Sequence, residues 1–272
     1  MTPRILLAAT LAAAALVLAA CAPATTLVPA DAAFPAFEPA LASPGPRTTT
    51  VASATLTSVT GCTVRYEVHE PVGEVADVAV VWSHGFLRDL DSMRGWAELA
   101  ASHGLRSAVV STCASTPFSG RHDRNAEDLR AVAAAAFGAE APVVYAGFSA
   151  GGLAALLAAA ADARAVGVLG LDAVDSGDLA ATALGFERPA LFLAGEPSSC
   201  NAQGNLVPVA ERLADARVVP VPYATHGDFE LPYDPAVDRL CGRVDPPEAR
   251  DALRAAVRGV AIGWLLEQAA AR

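Results

Sequence analysis

The 272-residue chain contains no lysine: all 19 basic residues are arginine. That absence excludes a phosphate-binding P-loop, a Schiff-base or pyridoxal site and a Ser-Lys hydrolase, each of which needs the amine. No Gly-rich dinucleotide fingerprint occurs either, so no cofactor is expected. Five cysteines are present but none in C-x-x-C spacing, which argues against a structural zinc site. Positive charge is also scarce. The formal net charge is -10, a surface that disfavours nucleic acid and strongly anionic ligands.

What the chain does have is an apolar run from Ala141 that ends in Gly147-Phe148-Ser149-Ala150-Gly151 and passes into the Ala/Leu-rich stretch after Leu153. This reads as strand, sharp turn and helix with Ser149 exposed at the apex. The glycines make room where side chains would strike the neighbouring strand and helix. The helix start points free NH groups and a positive dipole end at any oxyanion formed there.

A hydroxyl becomes a nucleophile only when a base takes its proton, and imidazole is the usual base. Of five histidines, His226 in YATHGDF follows a strand-like run and sits in a late loop that can reach back over a sheet edge. It is the expected base, and the order Ser, acid, His is the order of this architecture. His69, His103 and His122 read as surface or capping residues. For the carboxylate that orients the imidazole, Asp172 at the end of the run Val166 to Leu171 is favoured. Asp175 and Glu196 remain alternatives, Glu196 because the turn after Ala194 contains no aspartate. Oxyanion donors are expected from the backbone NH of Ala150 and, after the run ending at Trp82, of Phe86 in Ser83-His84-Gly85-Phe86.

Taken in order, WSHGF, GFSAGG, GLDAVD and THGDF resemble an α/β-hydrolase of the branch holding platelet-activating-factor acetylhydrolases, chlorophyllases and dienelactone-hydrolase-like esterases. Coverage is about Thr50 to Ala270. In that branch the acid follows the strand after the nucleophile helix, which supports Asp172. The resemblance implies a mostly parallel sheet with helices on both faces, little or no cap domain, and a cofactor-free esterase of small-molecule or lipid esters. Chain length leaves little room for a cap, and Ala150 stands where chlorophyllases often carry Arg. A monomer is expected. An acyltransferase using the same acyl-enzyme and a non-catalytic envelope binding protein are the alternatives.

Alternation of strand-like runs with helical segments independently argues for such a sheet. The runs are Val64 to Val68, Val78 to Trp82, Ser107 to Ser111, Pro142 to Ala146, Val166 to Leu171, Pro189 to Ala194 and Arg217 to Val221. An amphipathic helix, Glu248 to Ala271, closes the chain.

Residues 1–20 carry Arg4 and a long apolar stretch, which reads as a secretory signal. Leu18-Ala19-Ala20-Cys21 resembles a bacterial lipobox, implying lipidation at Cys21 and anchorage at the cell envelope; simple secretion is the alternative. Residues 21–50, rich in Ala, Pro and Thr, read as a flexible tether, leaving 51–272 as the catalytic domain. Export places the remaining Cys62, Cys113, Cys200 and Cys241 in an oxidising compartment. In the sheet the resemblance implies, the second strand lies antiparallel beside the fourth, which pairs Cys62 with Cys113. Cys200 with Cys241 would then clamp the histidine loop.

Overall fold

The computed structural model describes residues 34–116, 119–241 and 250–272. The expected signal, Cys21 and the first part of the expected tether fall outside those residues. Eight strands form the main sheet: β1 Thr49–Thr57, β2 Thr63–Pro71, β3 Ala79–Ser83, β4 Arg106–Ser111, β5 Val143–Phe148, β6 Ala165–Leu171, β7 Ala190–Ala194 and β8 Ala216–Pro220. Across the sheet they run β1-β2-β4-β3-β5-β6-β7-β8. Only β1 with β2 and β2 with β4 pair antiparallel; every other pair is parallel.

Strands β3, β5 and β6 are buried at every position, as continuous apolar runs must be when helices cover both faces. Helices α1 (Arg94–Ser102) and α6 (Asp251–Ala270) cover one face. There Val80, Trp82, Val144 and Leu169 pack with Trp96, Leu253 and Trp264. Helices α2 (His122–Phe137) and α3 (Ala150–Ala161) cover the other, where Val81, Val110 and Tyr145 meet Leu129 and Leu153. Alternate residues of one strand thus feed two cores. Two shorter helices, α4 (Val207–Ala210) and α5 (Pro235–Leu240), lie in the connections that follow β7 and β8.

Two features depart from the sequence reading. Strand β1, TTVASATLT, is exposed at nearly every position; it is an edge strand held by β2 alone, so no hydrophobic period marks it. The other concerns residues 37–42, which the sequence reading placed in a flexible tether. Arg258 Nε donates to the carbonyl of Ala42 at 2.8 Å, and Phe37 lies so close to Gly259 of α6 that a side chain there would overlap its ring. Residues 37–42 are therefore docked on the closing helix rather than free.

Both disulfides are formed, Cys62–Cys113 and Cys200–Cys241, with Cα separations of 6.3 and 5.6 Å. The antiparallel register of β2 on β4, in which Arg65 faces Ser111, brings the first pair together. Among the described residues no helix is long and apolar enough to cross a membrane.

Candidate active site

Ser149 links β5 to α3 with φ 56° and ψ -127°, a conformation that costs a residue with a side chain about 1–3 kcal/mol. The surroundings enforce it. A Cβ on Gly147 would overlap the carbonyl of Gly151, and one on Gly151 would overlap the carbonyls of Ser83 and His84. The backbone of Ser149 is tied to the end of β6 as well: its NH donates to Leu171 O at 3.0 Å, and Val174 NH donates back to Ser149 O at 3.1 Å.

His226 opens a 3-10 turn, His226–Phe229, a few residues after β8. Its Nε2 lies 3.0 Å from Ser149 Oγ and its Nδ1 lies 2.6 Å from Asp172 Oδ2. An ionised carboxylate can only accept, so the imidazole proton sits on Nδ1 and Nε2 is left to accept the serine proton. Phe148 packs on the imidazole, ring centres 4.5 Å apart.

The turn carrying His226 is held by charge buried beneath it. Thr225 and Asp228 form a reciprocal capping box. Asp228 pairs with Arg250 at 3.0 Å and Arg254 at 3.2 Å. Asp238 of α5 accepts from Thr225 Oγ1 and from the Tyr233 hydroxyl, both at 2.6 Å, and pairs with Arg250. Burial pushes the Asp228 carboxyl above the usual carboxylate range, against the pull of Thr225 and Arg250. Beyond the Thr225–Asp228 box, no local pattern marks these six residues, because their partners come from three separated segments.

Of the three carboxylates considered, Asp172 alone reaches the imidazole among the described contacts. Glu196 accepts the NH of Tyr223 at 3.0 Å, and Asp175 accepts the NH of Ala180 at 3.1 Å. Asp172 also accepts from Gly195 NH at 2.9 Å and from Asn201 Nδ2. Asn201 is fully buried and is a site residue that sequence reasoning missed.

His84 lies at the end of β3 and fixes the turn that follows. Thr112 NH donates to its Nε2 at 3.0 Å, which leaves Nδ1 to donate to Gly85 O at 2.7 Å. Burial pushes its pKa below the ordinary histidine value, so the ring stays neutral. The turn presses against the serine: a Cβ on Gly85 would stand 3.0 Å from the Phe148 ring and 3.1 Å from Ser149 Cβ. The NH groups of Phe86 and Ala150 donate to no acceptor among the described residues, Ala150 being the first residue of α3. Donors left free beside a nucleophile can receive a developing oxyanion.

The remaining histidines lie elsewhere. His69 is buried beside Glu67 at 3.7 Å, His103 bonds the carbonyl of Ser43 at 3.0 Å, and His122 begins α2 with Nδ1 3.4 Å from Asn125. A cleft of about 410 Å³ opens at Ser149 and His226, walled by Phe86, Leu87, Phe148, Val237 and Leu240. An ion pair forms one side of it, Arg88 meeting Glu230 through two bonds of 2.7 and 2.9 Å. Five carbon side chains from three segments therefore line the cleft at that hydroxyl.

No protein-family model and no curated protein matches this sequence. Solved structures do. Brefeldin A esterase, described as a bacterial homologue of human hormone-sensitive lipase, superposes with a TM-score of 0.57 at 17% identity, covering 82% of this chain and 78% of that one. A hypothetical protein from Pseudomonas aeruginosa gives 0.55 at 15% identity, covering 75% of this chain and 96% of that one. Identities this low speak for fold, and together with the strand order they establish that the chain has the α/β-hydrolase fold.

Proposed function

We propose that the protein is a cofactor-free serine hydrolase of carboxylic esters, small-molecule or lipid-like, acting through an acyl-enzyme. The observation that carries this reading is the continuous relay from Ser149 Oγ through His226 to Asp172, 3.0 and 2.6 Å long, on a turn beside two free amides.

His226 Nε2 takes the hydroxyl proton as Ser149 Oγ bonds to the ester carbonyl carbon, and Asp172 stabilises the imidazolium. The carbonyl oxygen, now an oxyanion, is received by the NH groups of Phe86 and Ala150. The imidazolium returns its proton to the leaving alkoxide as the C–O bond breaks, leaving acyl-Ser149. Water, deprotonated by His226, attacks the acyl carbon; the acid departs and Ser149 is reprotonated. The apolar walls of the cleft suit an apolar acyl or alkyl group.

Ser149→Ala is expected to abolish p-nitrophenyl butyrate turnover and fluorophosphonate labelling together. Labelling that survives the substitution would move the nucleophile elsewhere. If added alcohol captures the acyl group better than water does, the activity is transfer rather than hydrolysis.

We also propose that the enzyme is exported and held at the envelope by lipid on Cys21. Two disulfides fit an oxidising compartment. Cys21→Ser should release the protein from the membrane fraction; unchanged membrane association would refute the anchor.

A further inference from the structure

The carboxylate of Asp172 is held by more than His226. Its Oδ2 accepts from His226 Nδ1 at 2.6 Å and its Oδ1 from Gly195 NH at 2.9 Å. One NH of Asn201 is shared across both oxygens, at 3.2 Å each, and the amide nitrogen also donates to Glu196 O at 2.9 Å. The orientation of that amide is determined by its other end: Asn201 Oδ1 accepts the NH of Ser198 at 2.8 Å, so Nδ2 must face the carboxylate. Asn201 is completely buried. It lies in the connection after β7, whose first turn contains no aspartate, and it supplies a neutral donor to the acid at the end of β6.

That connection is stapled to the segment carrying the base. Cys200, next to Asn201, is bridged to Cys241 at the end of α5. Asp238 of α5 accepts from Thr225 Oγ1 at 2.6 Å, immediately before His226.

Resting on the reading of Ser149, His226 and Asp172 as a catalytic relay, we propose that Asn201 is a positioning residue of that relay. Its amide, beside the Cys200–Cys241 bridge, locks the Asp172 carboxylate in the plane that meets His226 Nδ1. A neutral donor achieves this; a second carboxylate in its place would share a proton with Asp172.

The test uses the full chain carrying Asn201→Ala or Asn201→Asp, with p-nitrophenyl butyrate as substrate. Asn201→Ala should lower kcat by about ten- to a hundredfold, the range for outer-shell partners of a catalytic group, with KM changed less than about twofold. Asn201→Asp should introduce an alkaline limb absent from the parent profile, because Asp172 keeps its donor only while the carboxylate pair retains its shared proton. A purely structural asparagine would produce no such limb. The histidine titration read by NMR in the resting protein, with His226→Gln identifying its signal, requires no turnover and should show a displaced His226 midpoint in Asn201→Asp. Parental kcat in Asn201→Ala, or parental His226 titration in Asn201→Asp, overturns the proposal. If the parent protein itself shows no Ser149-dependent turnover or labelling, the ester-hydrolase reading fails instead, and the NMR titration alone decides whether Asn201 governs the Asp172–His226 pair.

Discussion

The two disulfides close loops of similar length yet should serve different ends, and removing each in turn separates stability from catalysis. The bridged residues are 51 and 41 positions apart, for which loop-closure entropy gives about 4 kcal/mol each, the difference between them being only about 0.2 kcal/mol. Cys62→Ser/Cys113→Ser and Cys200→Ser/Cys241→Ser should therefore lower stability almost equally, shifting the unfolding midpoint by about 8–16 °C. Their effects on turnover should diverge. Cys113 follows Thr112, whose NH bonds His84, but Thr112 directly continues β4, which is paired on both sides to β2 and β3 and holds without the bridge. Cys200 adjoins Asn201 and faces the cleft, and Cys241 ends the helix that anchors the turn of His226. The expected kcat loss for the Cys200/Cys241 pair is about ten- to a hundredfold, against less than about threefold for the other. The measurement is thermal unfolding followed by tryptophan fluorescence, then kcat on p-nitrophenyl butyrate well below both midpoints. Equal kcat losses in the two folded variants, or full activity without the Cys200–Cys241 bridge, would refute the reasoning.

Asp172→Asn should reduce kcat by about 10⁴-fold through the wrong imidazole tautomer, while Glu196→Gln and Asp175→Asn stay near parental activity; the reverse pattern in the same assay would reassign the acid. Gly85→Ala brings a methyl against Ser149 and Phe148, so kcat should fall more than about tenfold while stability drops only about 1–3 kcal/mol, and unchanged kcat would contradict the contact. Arg250→Ala leaves Asp228 and Asp238 buried without their shared partner and should cost about 3–5 kcal/mol by urea unfolding; a loss below 1 kcal/mol, on the order of an exposed pair, would show the network to be solvated. Burial pushes the imidazoles of His69, His84 and His122 below 6.5. The unfolded chain therefore binds protons below pH 6.5 that the folded chain refuses, so stability is present above that pH and is lost as pH falls, by at most about 1.4 kcal/mol per unit for each histidine. His69→Leu should flatten that slope by about one proton, and an identical slope would rule out His69 as a contributor.

The serine turn and the parallel core of the sheet could be read in the sequence because each is a local constraint. A strand covered on both faces must be apolar throughout, so the runs ending at Trp82, Ala146 and Leu171 mark β3, β5 and β6 within a residue or two. The elbow was equally visible, since only glycine leaves room at positions 147 and 151. Strand β1 was invisible, because a solvated edge needs no hydrophobic period, and so was the docking of Phe37 on α6, because one aromatic in a proline-rich stretch has no pattern.

The amino-acid order by itself pointed to the serine on the strained turn and to the histidine that lies 3.0 Å from it. Only the tertiary structure decided which of three carboxylates meets the imidazole, and it did so by giving Glu196 and Asp175 backbone partners of their own. It alone brought Asn201 onto Asp172, 29 residues away in the chain, and Arg250 beneath the turn of His226. The physical reason is that a polar side chain makes its bonds within about 3 Å in one direction, and that direction exists only once distant segments have packed.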